Sequence, residues 1–282
     1  RANCAMVFVG LESVNEETLK LFKKHVTLEK NRAAIAAFNE AGIRVHGMFV
    51  LGSDADTSQT LTETLKFARD SRLTTVQFFA LTALPGPPLT RRLAEEKRIF
   101  AWGDWQLFDA QHAVVCPARI SPSELQAGIF RLSRQFYSAS EALRYLIHGR
   151  WYDFAIRLRG SFLTRRIERD SASYTRALDK FDHVRAALTA ELDKLAAKAR
   201  TKLREFGVGF EDGRARAEAY FEDLLRQFDL TCDQLNLKLV PYGQALREMA
   251  SKKLEKHLRA LTTEPHKRTS SNLANAHDTL YP

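Results

Sequence analysis

Three apolar runs, each stopped by glycine or by a Pro-Gly turn and each followed by a helical pattern, constrain this chain more than any other feature. Ala5-Met-Val-Phe-Val9 stops at Gly10, Ile43 to Leu51 is interrupted by Gly47 and stops at Gly52, and Thr75 to Thr82 runs into Leu84-Pro-Gly-Pro-Pro88. All three read as strands, the continuous first run as one buried on both faces, as in parallel sheets. Asn15-Glu-Glu-Thr caps a helix with an acidic first turn. A second helix is predicted from Leu28 to Ala41, with Gly42 supplying the left-handed residue that ends it. The polar loop Ser53 to Thr57 leads into a helix reaching Ser71, and Pro88 can open another. Ser121-Pro-Ser-Glu124 has the form of a capping box at the start of a helix through Ser138. Strands and helices in this order imply right-handed crossovers and a parallel sheet with helices outside. The predicted fold class is therefore α/β. A sheet of three parallel strands is small, and its apolar first strand carries little protection as an edge. Residues 1–140 are thus expected to be the second half of a (β/α) TIM-type barrel whose other strands precede Arg1, so the chain reads as a piece of a longer protein.

After about residue 140 the strand signals stop and an all-α extension over 141–261 is predicted. Phe181, Val184, Leu188, Leu192, Leu195 and Leu203 recur at helical spacings, Gly207-Val-Gly-Phe-Glu-Asp-Gly213 breaks the run, and further helices are expected at 214–228 and 241–261. Residues 262–282 are polar and read as a disordered tail. The formal charge is +9, and much of the excess lies in 144–169, where Arg144, Arg150, Arg157, Arg159, Arg165, Arg166 and Arg169 face Asp153 and Glu168. Such a stretch suits either a solvated helix face or contact with phosphate, lipid headgroups or an acidic partner.

No apolar run approaches the roughly 18–20 residues that a bilayer span needs, and the start carries no signal-peptide pattern. Cys4, Cys116 and Cys232 are too far apart for a disulfide framework or a Cys-rich metal motif, which points to a reducing cytoplasm. Nucleotide-phosphate loops ending in Lys-Ser/Thr, His-Glu-x-x-His helices and Gly-x-Ser-x-Gly elbows are all absent from the sequence. What remains is the set of loops after the strands, where α/β barrels place ligands. They are Gly10-Leu-Glu-Ser13, Gly52-Ser-Asp-Ala-Asp56 and Thr82-Ala-Leu-Pro-Gly-Pro-Pro88. They supply carboxylates, which can hold an amine or ribose hydroxyl, and tight turns whose backbone can read a purine edge. Each loop alone is equally what barrel architecture demands; the three in order say more.

That ordered set resembles the later strands of radical S-adenosylmethionine enzymes: Val9-Gly-Leu-Glu-Ser13, then Gly42 to Gly52 with Asp54 and Asp56, then Leu81-Thr-Ala-Leu-Pro-Gly86. The segment from Arg98 to Pro117 is similar to one in the cobalamin-binding subgroup, which includes hopanoid methylases and the anaerobic ring cyclase of bacteriochlorophyll synthesis. The resemblance covers roughly residues 3–138 and implies S-adenosylmethionine, a 4Fe–4S cluster and cobalamin as cofactors. It also implies a flavodoxin or ferredoxin as electron donor. The family's Cys-x-x-x-Cys-x-x-Cys motif and cobalamin domain do not occur in the sequence, so the ligands of both groups would lie outside it and the chain alone is expected to be inactive.

By position, Glu12 resembles the residue that meets the cofactor's ribose or amino group. Lys24 falls where relatives carry a basic residue near the methionine carboxylate. Val50 and Gly52 match the motif whose backbone meets adenine, and Leu84, Pro85 and Gly86 match the turn flanking it. Ala83 and Pro87 depart from the frequent Pro and Thr, which leaves the detail of that turn open. No catalytic residue or metal ligand is assigned. The leading expectation is methyl transfer, or cyclisation, on an unactivated carbon of a small-molecule or lipid-like substrate, with no nucleic acid involved. The alternative is a non-catalytic module whose basic helices contact a membrane surface or partner. Trp151-Tyr-Asp-Phe-Ala-Ile-Arg-Leu-Arg-Gly-Ser-Phe-Leu163 is suited to a lipid interface, although Gly160 weakens it as a helix. His112 is expected to bond a loop backbone, Trp102 and Trp105 to pack as a lid, Cys116 to be buried, and His25 and His46 to be structural.

Overall fold

The computed structural model describes residues 3–206, 211–237 and 240–263. They divide into two compact units, Arg1–Asp182 and His183–Pro282. In the first unit β1 (Met6–Glu12), β2 (Arg44–Leu51) and β3 (Thr75–Ala80) form a parallel sheet in the order β1-β2-β3. Helices α1 (Glu16–Leu21) and α2 (Leu28–Glu40) connect β1 to β2, and α3 (Ser58–Asp70) connects β2 to β3. Then follow α4 (Pro88–Glu95), a single 3₁₀ turn at Trp105–Leu107, α5 (Pro122–Phe136), α6 (Ala139–Ile147) and α7 (Trp151–Asp170). The architecture is mixed α/β, mostly helical, around this small sheet.

Local signals set the boundaries. Asn15, Thr27, Thr57, Ser121 and Ser138 each accept backbone N–H bonds at a helix start. The Ser121 box is half formed, because the Glu124 carboxylate takes the Ser58 hydroxyl of α3 and not the backbone of Ser121. Gly42 ends the α2 turn at φ +74°. The sheet has unlike faces. Val45, Phe49 and Leu51 are wholly buried with Val76 and Phe78 beneath α2, α3 and α5, and Phe49 stacks on Phe78 at 5.8 Å. On the other face His46, Met48, Val50 and Phe79 are half-buried, and Phe8 is 68% exposed. The alternation is that of strands buried on one face, not the doubly buried kind read from the sequence for the first run.

The two edges also differ. The outer edge of β1 has no strand partner among the described residues. On β3 the Tyr137 hydroxyl takes the place of a strand, accepting from Val76 N–H at 2.8 Å and donating to Val76 C=O at 2.7 Å. Gly160 explains how Tyr137 gets there. A Cβ at Gly160 would lie 2.4 Å from the Tyr137 ring, so α7 continues through a glycine that costs helix propensity in exchange for close packing.

The second unit takes up α8 (Ala172–Phe206) from His183 onward, with α9 (Glu211–Gln234) and α10 (Gly243–Thr263). Leu188, Leu192, Leu195, Leu224, Phe228, Leu246, Leu254 and Leu258 are among its buried residues. The predicted stripe is buried at Phe181, Leu188, Leu192 and Leu195, while Val184 is partly exposed and the Leu203 side chain lies outside the described residues. Residues 207–210 of the predicted glycine break also lie outside them, and residues 211–213 already belong to α9. Most of the predicted tail, 264–282, is likewise outside the described residues.

Gly160→Ala is expected to lower stability by about 1–3 kcal/mol through overpacking against Tyr137, measured as a drop in denaturation midpoint. An unchanged midpoint would show that the α5–α7 contact is not tight.

Candidate functional site

The loops after the three strands are built differently. At the end of β1 the register slips between Gly10 and Glu12, and Glu12 adopts a left-handed conformation at φ +63°. Gly10 makes room for it: a Cβ there would fall 2.8 Å from Glu12 Oε1. After α1 the chain reverses at Lys23, also left-handed, and returns Lys24 Nζ to 2.9 Å from Glu12 Oε1. Both side chains keep access to solvent, so the pair is worth under about 1 kcal/mol and a ligand can exchange with it.

At the end of β2, Val50 sits half-buried on the uncovered face. Gly52 is at φ +100°, and a Cβ would meet Leu125 Cδ2 at 2.5 Å, so conformation and space both demand glycine. Its N–H is not free for a purine. It donates to Asp56 Oδ2 at 2.9 Å, as does the N–H of Ser53. Asp56 Oδ1 accepts from the Thr18 hydroxyl at 2.9 Å, and Thr18 also bonds Ser53 Oγ at 2.7 Å. Burial pushes the Asp56 carboxyl above its ordinary value, against the opposing pull of these donors. Asp54 is engaged too. Arg98 grips both its oxygens, Arg92 lies 3.3 Å away, and Arg98 Nε donates to Cys116 C=O at 2.8 Å. The Arg98 guanidinium holds the Asp54 carboxyl below the usual carboxylate range.

After β3, the Leu84–Gly86 turn is exposed, with Gly86 at φ +109° and no atom near enough to crowd a side chain there. Thr90 Oγ1 donates to Leu84 C=O and anchors the turn to α4, which Pro88 opens. A cleft of about 430 Å³ lies between the β2 and β3 loops. Leu81, Pro88, Leu93 and Val115 give it apolar walls, and Lys23, Asp54, Arg92 and Arg98 bring charge to it. Gly52 lies in its wall, whereas Glu12, Lys24, Val50 and the Leu84–Gly86 turn do not.

In the 98–117 segment Phe100 is buried against Phe181. Trp102 and Trp105 are about half exposed and pack edge-on at 5.4 Å against each other, with Phe108 beside them. His112 meets a carboxylate and not a backbone group: its Nδ1 lies 3.0 Å from both Asp109 oxygens, and its ring is edge-on to Tyr174. His46 Nδ1 bonds the Thr75 hydroxyl at 2.7 Å, and burial lowers its pKa. His25 is exposed. Cys116 and Cys232 are buried, Cys4 is exposed, and burial pushes the Cys232 thiol up to about 11. Among the described residues no three His, Cys, Asp or Glu side chains are grouped to hold a metal ion, so these residues do not fit a cluster site. No described helix is long and apolar enough to cross a membrane. The Asp54–Arg98 lock and the Asp56 hub escaped the sequence reading, although Asp54 and Asp56 were themselves visible. Both carboxylates are spent inside the protein.

Against known proteins, the chain is 26% identical over 145 residues to bacteriochlorophyllide d C-12(1)-methyltransferase of Chlorobaculum tepidum, covering 51% of this chain and 31% of that one. It is 26% identical over 149 residues to the anaerobic magnesium-protoporphyrin IX monomethyl ester cyclase of Cereibacter sphaeroides, covering 53% and 24%. The resemblance to the cobalamin-binding radical S-adenosylmethionine enzymes holds. The hopanoid C-2 methylase of Rhodopseudomonas palustris is 31% identical over 94 residues, covering 33% and 18%. The chain thus spans between about a fifth and a third of the length of these curated relatives. No family model matches it.

Asp54→Asn is expected to cost about 1–3 kcal/mol at neutral pH by removing a charge-assisted bidentate pair. Because the folded pKa of Asp54 is lowered, its contribution is full above the ordinary value of 3.8 and fades as pH falls through the lower folded value. Denaturation of both proteins across that range should show the difference closing in acid; a constant difference would exclude the ion pair as its source.

Proposed function

We propose that this chain supplies the C-terminal half of a radical S-adenosylmethionine enzyme of the cobalamin-binding subgroup. In this reading residues 1–140 are the later strands of a partial (β/α) TIM-type barrel, 141–261 a helical extension, and 262–282 a disordered tail. The observation that carries it is that methyltransferases and a cyclase of this group recur among the relatives, together with three strand-end loops on one rim of a parallel sheet. The reaction is methyl transfer, or cyclisation, on an unactivated carbon, in the cytoplasm or at a membrane surface. The substrate is a small or lipid-like molecule, and a flavodoxin or ferredoxin supplies the electron.

The cluster and cobalamin would be held by residues outside this sequence, so the chain by itself is inactive. S-adenosylmethionine fits the rim residues. Glu12 and Lys24 present opposite charges that suit its amine or ribose hydroxyls and its carboxylate, and they are paired weakly enough to part. Val50 offers an apolar surface on the uncovered sheet face, and the exposed Leu84-Pro85-Gly86 turn offers backbone groups for adenine. Gly52 contributes shape and its carbonyl, since Asp56 occupies its N–H. Bound there and given one electron by the cluster, the cofactor would supply a 5′-deoxyadenosyl radical, with the S–C5′ bond broken and methionine released. This chain's residues position it; they carry out no bond-breaking step.

In the whole protein, Glu12→Ala is expected to weaken S-adenosylmethionine binding by about 1.5–3 kcal/mol, roughly ten- to a hundredfold, by calorimetry, with the fold retained. Unchanged affinity would remove Glu12 from the site. Anaerobic iron and sulfide reconstitution of the chain alone is expected to give no 4Fe–4S absorption; its appearance would overturn the assignment of the ligands.

A further inference from the structure

At the end of the strands opposite the loops just described, arginines crowd one concavity. Arg69 at the end of α3 and Arg72 in the turn into β3 meet Arg144 of α6 and Arg150 and Arg157 of the α6–α7 corner around a pocket of about 310 Å³. Glu141 lies 3.9 Å from both Arg69 and Arg144, the outer limit of an ion pair. Arg150 is matched by Asp153 at 2.9 Å. Arg72 makes no ion pair among the described residues. Four guanidiniums therefore share one distant carboxylate.

Arg157 is the residue that decides. It is 2% exposed, yet no carboxylate lies within ion-pair distance of it among the described residues. Its Nη atoms donate to the backbone carbonyls of Phe136 at 3.0 Å and Leu73 at 2.8 Å, and the rings of Phe136 and Tyr145 cover it. Its Nε is buried with no partner. A buried cation with an unspent donor is unfavourable unless an anion completes it. Arg157 forms part of the pocket wall, so an anion in the pocket would meet that need.

The surroundings say which anion. Leu143, Ile147 and Trp151, each next in sequence to a residue of this pocket, are 50%, 75% and 69% exposed. A dissolved anion has no use for such side chains. A bilayer surface uses both kinds, since phosphates and acyl chains meet there. We propose that this pocket binds the phosphate of an anionic phospholipid headgroup, with Leu143, Ile147 and Trp151 entering the interface, so that the α6–α7 corner docks the protein on a membrane. The site lies apart from the cofactor loops, so its failure would leave the enzymatic reading untouched.

The test is co-sedimentation of the full 282-residue chain with phosphatidylcholine vesicles, with and without phosphatidylglycerol, at low and high salt. Binding should require phosphatidylglycerol and weaken with salt. Arg72→Gln/Arg144→Gln should lose roughly tenfold or more, and Ile147→Ser/Trp151→Ser should also weaken binding. Arg165→Gln/Arg166→Gln removes the same charge from the far half of α7 and should change little. These residues are surface-exposed, and unchanged melting temperatures would establish folding. Equal losses in the two arginine pairs, binding to phosphatidylcholine alone, or no binding to any vesicle would overturn the proposal. So would a thermal shift with inorganic phosphate in the absence of vesicle binding, which would make the pocket a site for a soluble anion.

Discussion

The buried Asp56 carboxylate is the constraint on which the ligand-facing end of this sheet depends. It gathers two backbone donors from the β2 loop and a hydroxyl from α1, so one side chain ties that loop to a helix residue 38 positions earlier in sequence. Burying a carboxylate is costly, and only several directed donors offset it. Beside this hub, Glu12 and Lys24 face each other across a weak contact. Both carboxylates are engaged within the protein: Asp54 anchors the 98–117 segment through Arg98, and Asp56 ties α1 to the β2 loop.

The far end of the sheet is organised by α7. Tyr137 covers the β3 edge, Gly160 admits its ring, and Arg157 binds the carbonyls of Leu73 and Phe136. Helices α6 and α7 belong with the sheet in the first compact unit, which ends inside α8. The helical region that follows the strands is therefore not one uniform extension. Its first part is built into the sheet unit, and its second has a leucine-rich core of its own.

Within the first unit the two ends of the sheet differ in chemistry. At the C-terminal ends of the strands stand exposed turns, a solvent-accessible ion pair and a cleft with apolar walls. At the N-terminal ends stand five arginines with few carboxylates beside them, and exposed apolar side chains.

The sequence by itself determined the strands, the helices between them, their caps and the order of the three strand-end loops. These follow from local period and from the backbone needs of glycine and proline. It also carried the family resemblance, because an ordered set of loop motifs is written along the chain. It could not show that Asp54 pairs with Arg98 across 44 residues, that His112 bonds a carboxylate, or that Gly160 serves Tyr137. Nor could it separate Arg157, buried with an unspent donor, from the neighbouring arginines it resembles in sequence. Only the tertiary structure decided these points, because burial and pairing depend on residues brought together from distant segments, and a side chain's charge is spent or free according to what the fold sets beside it.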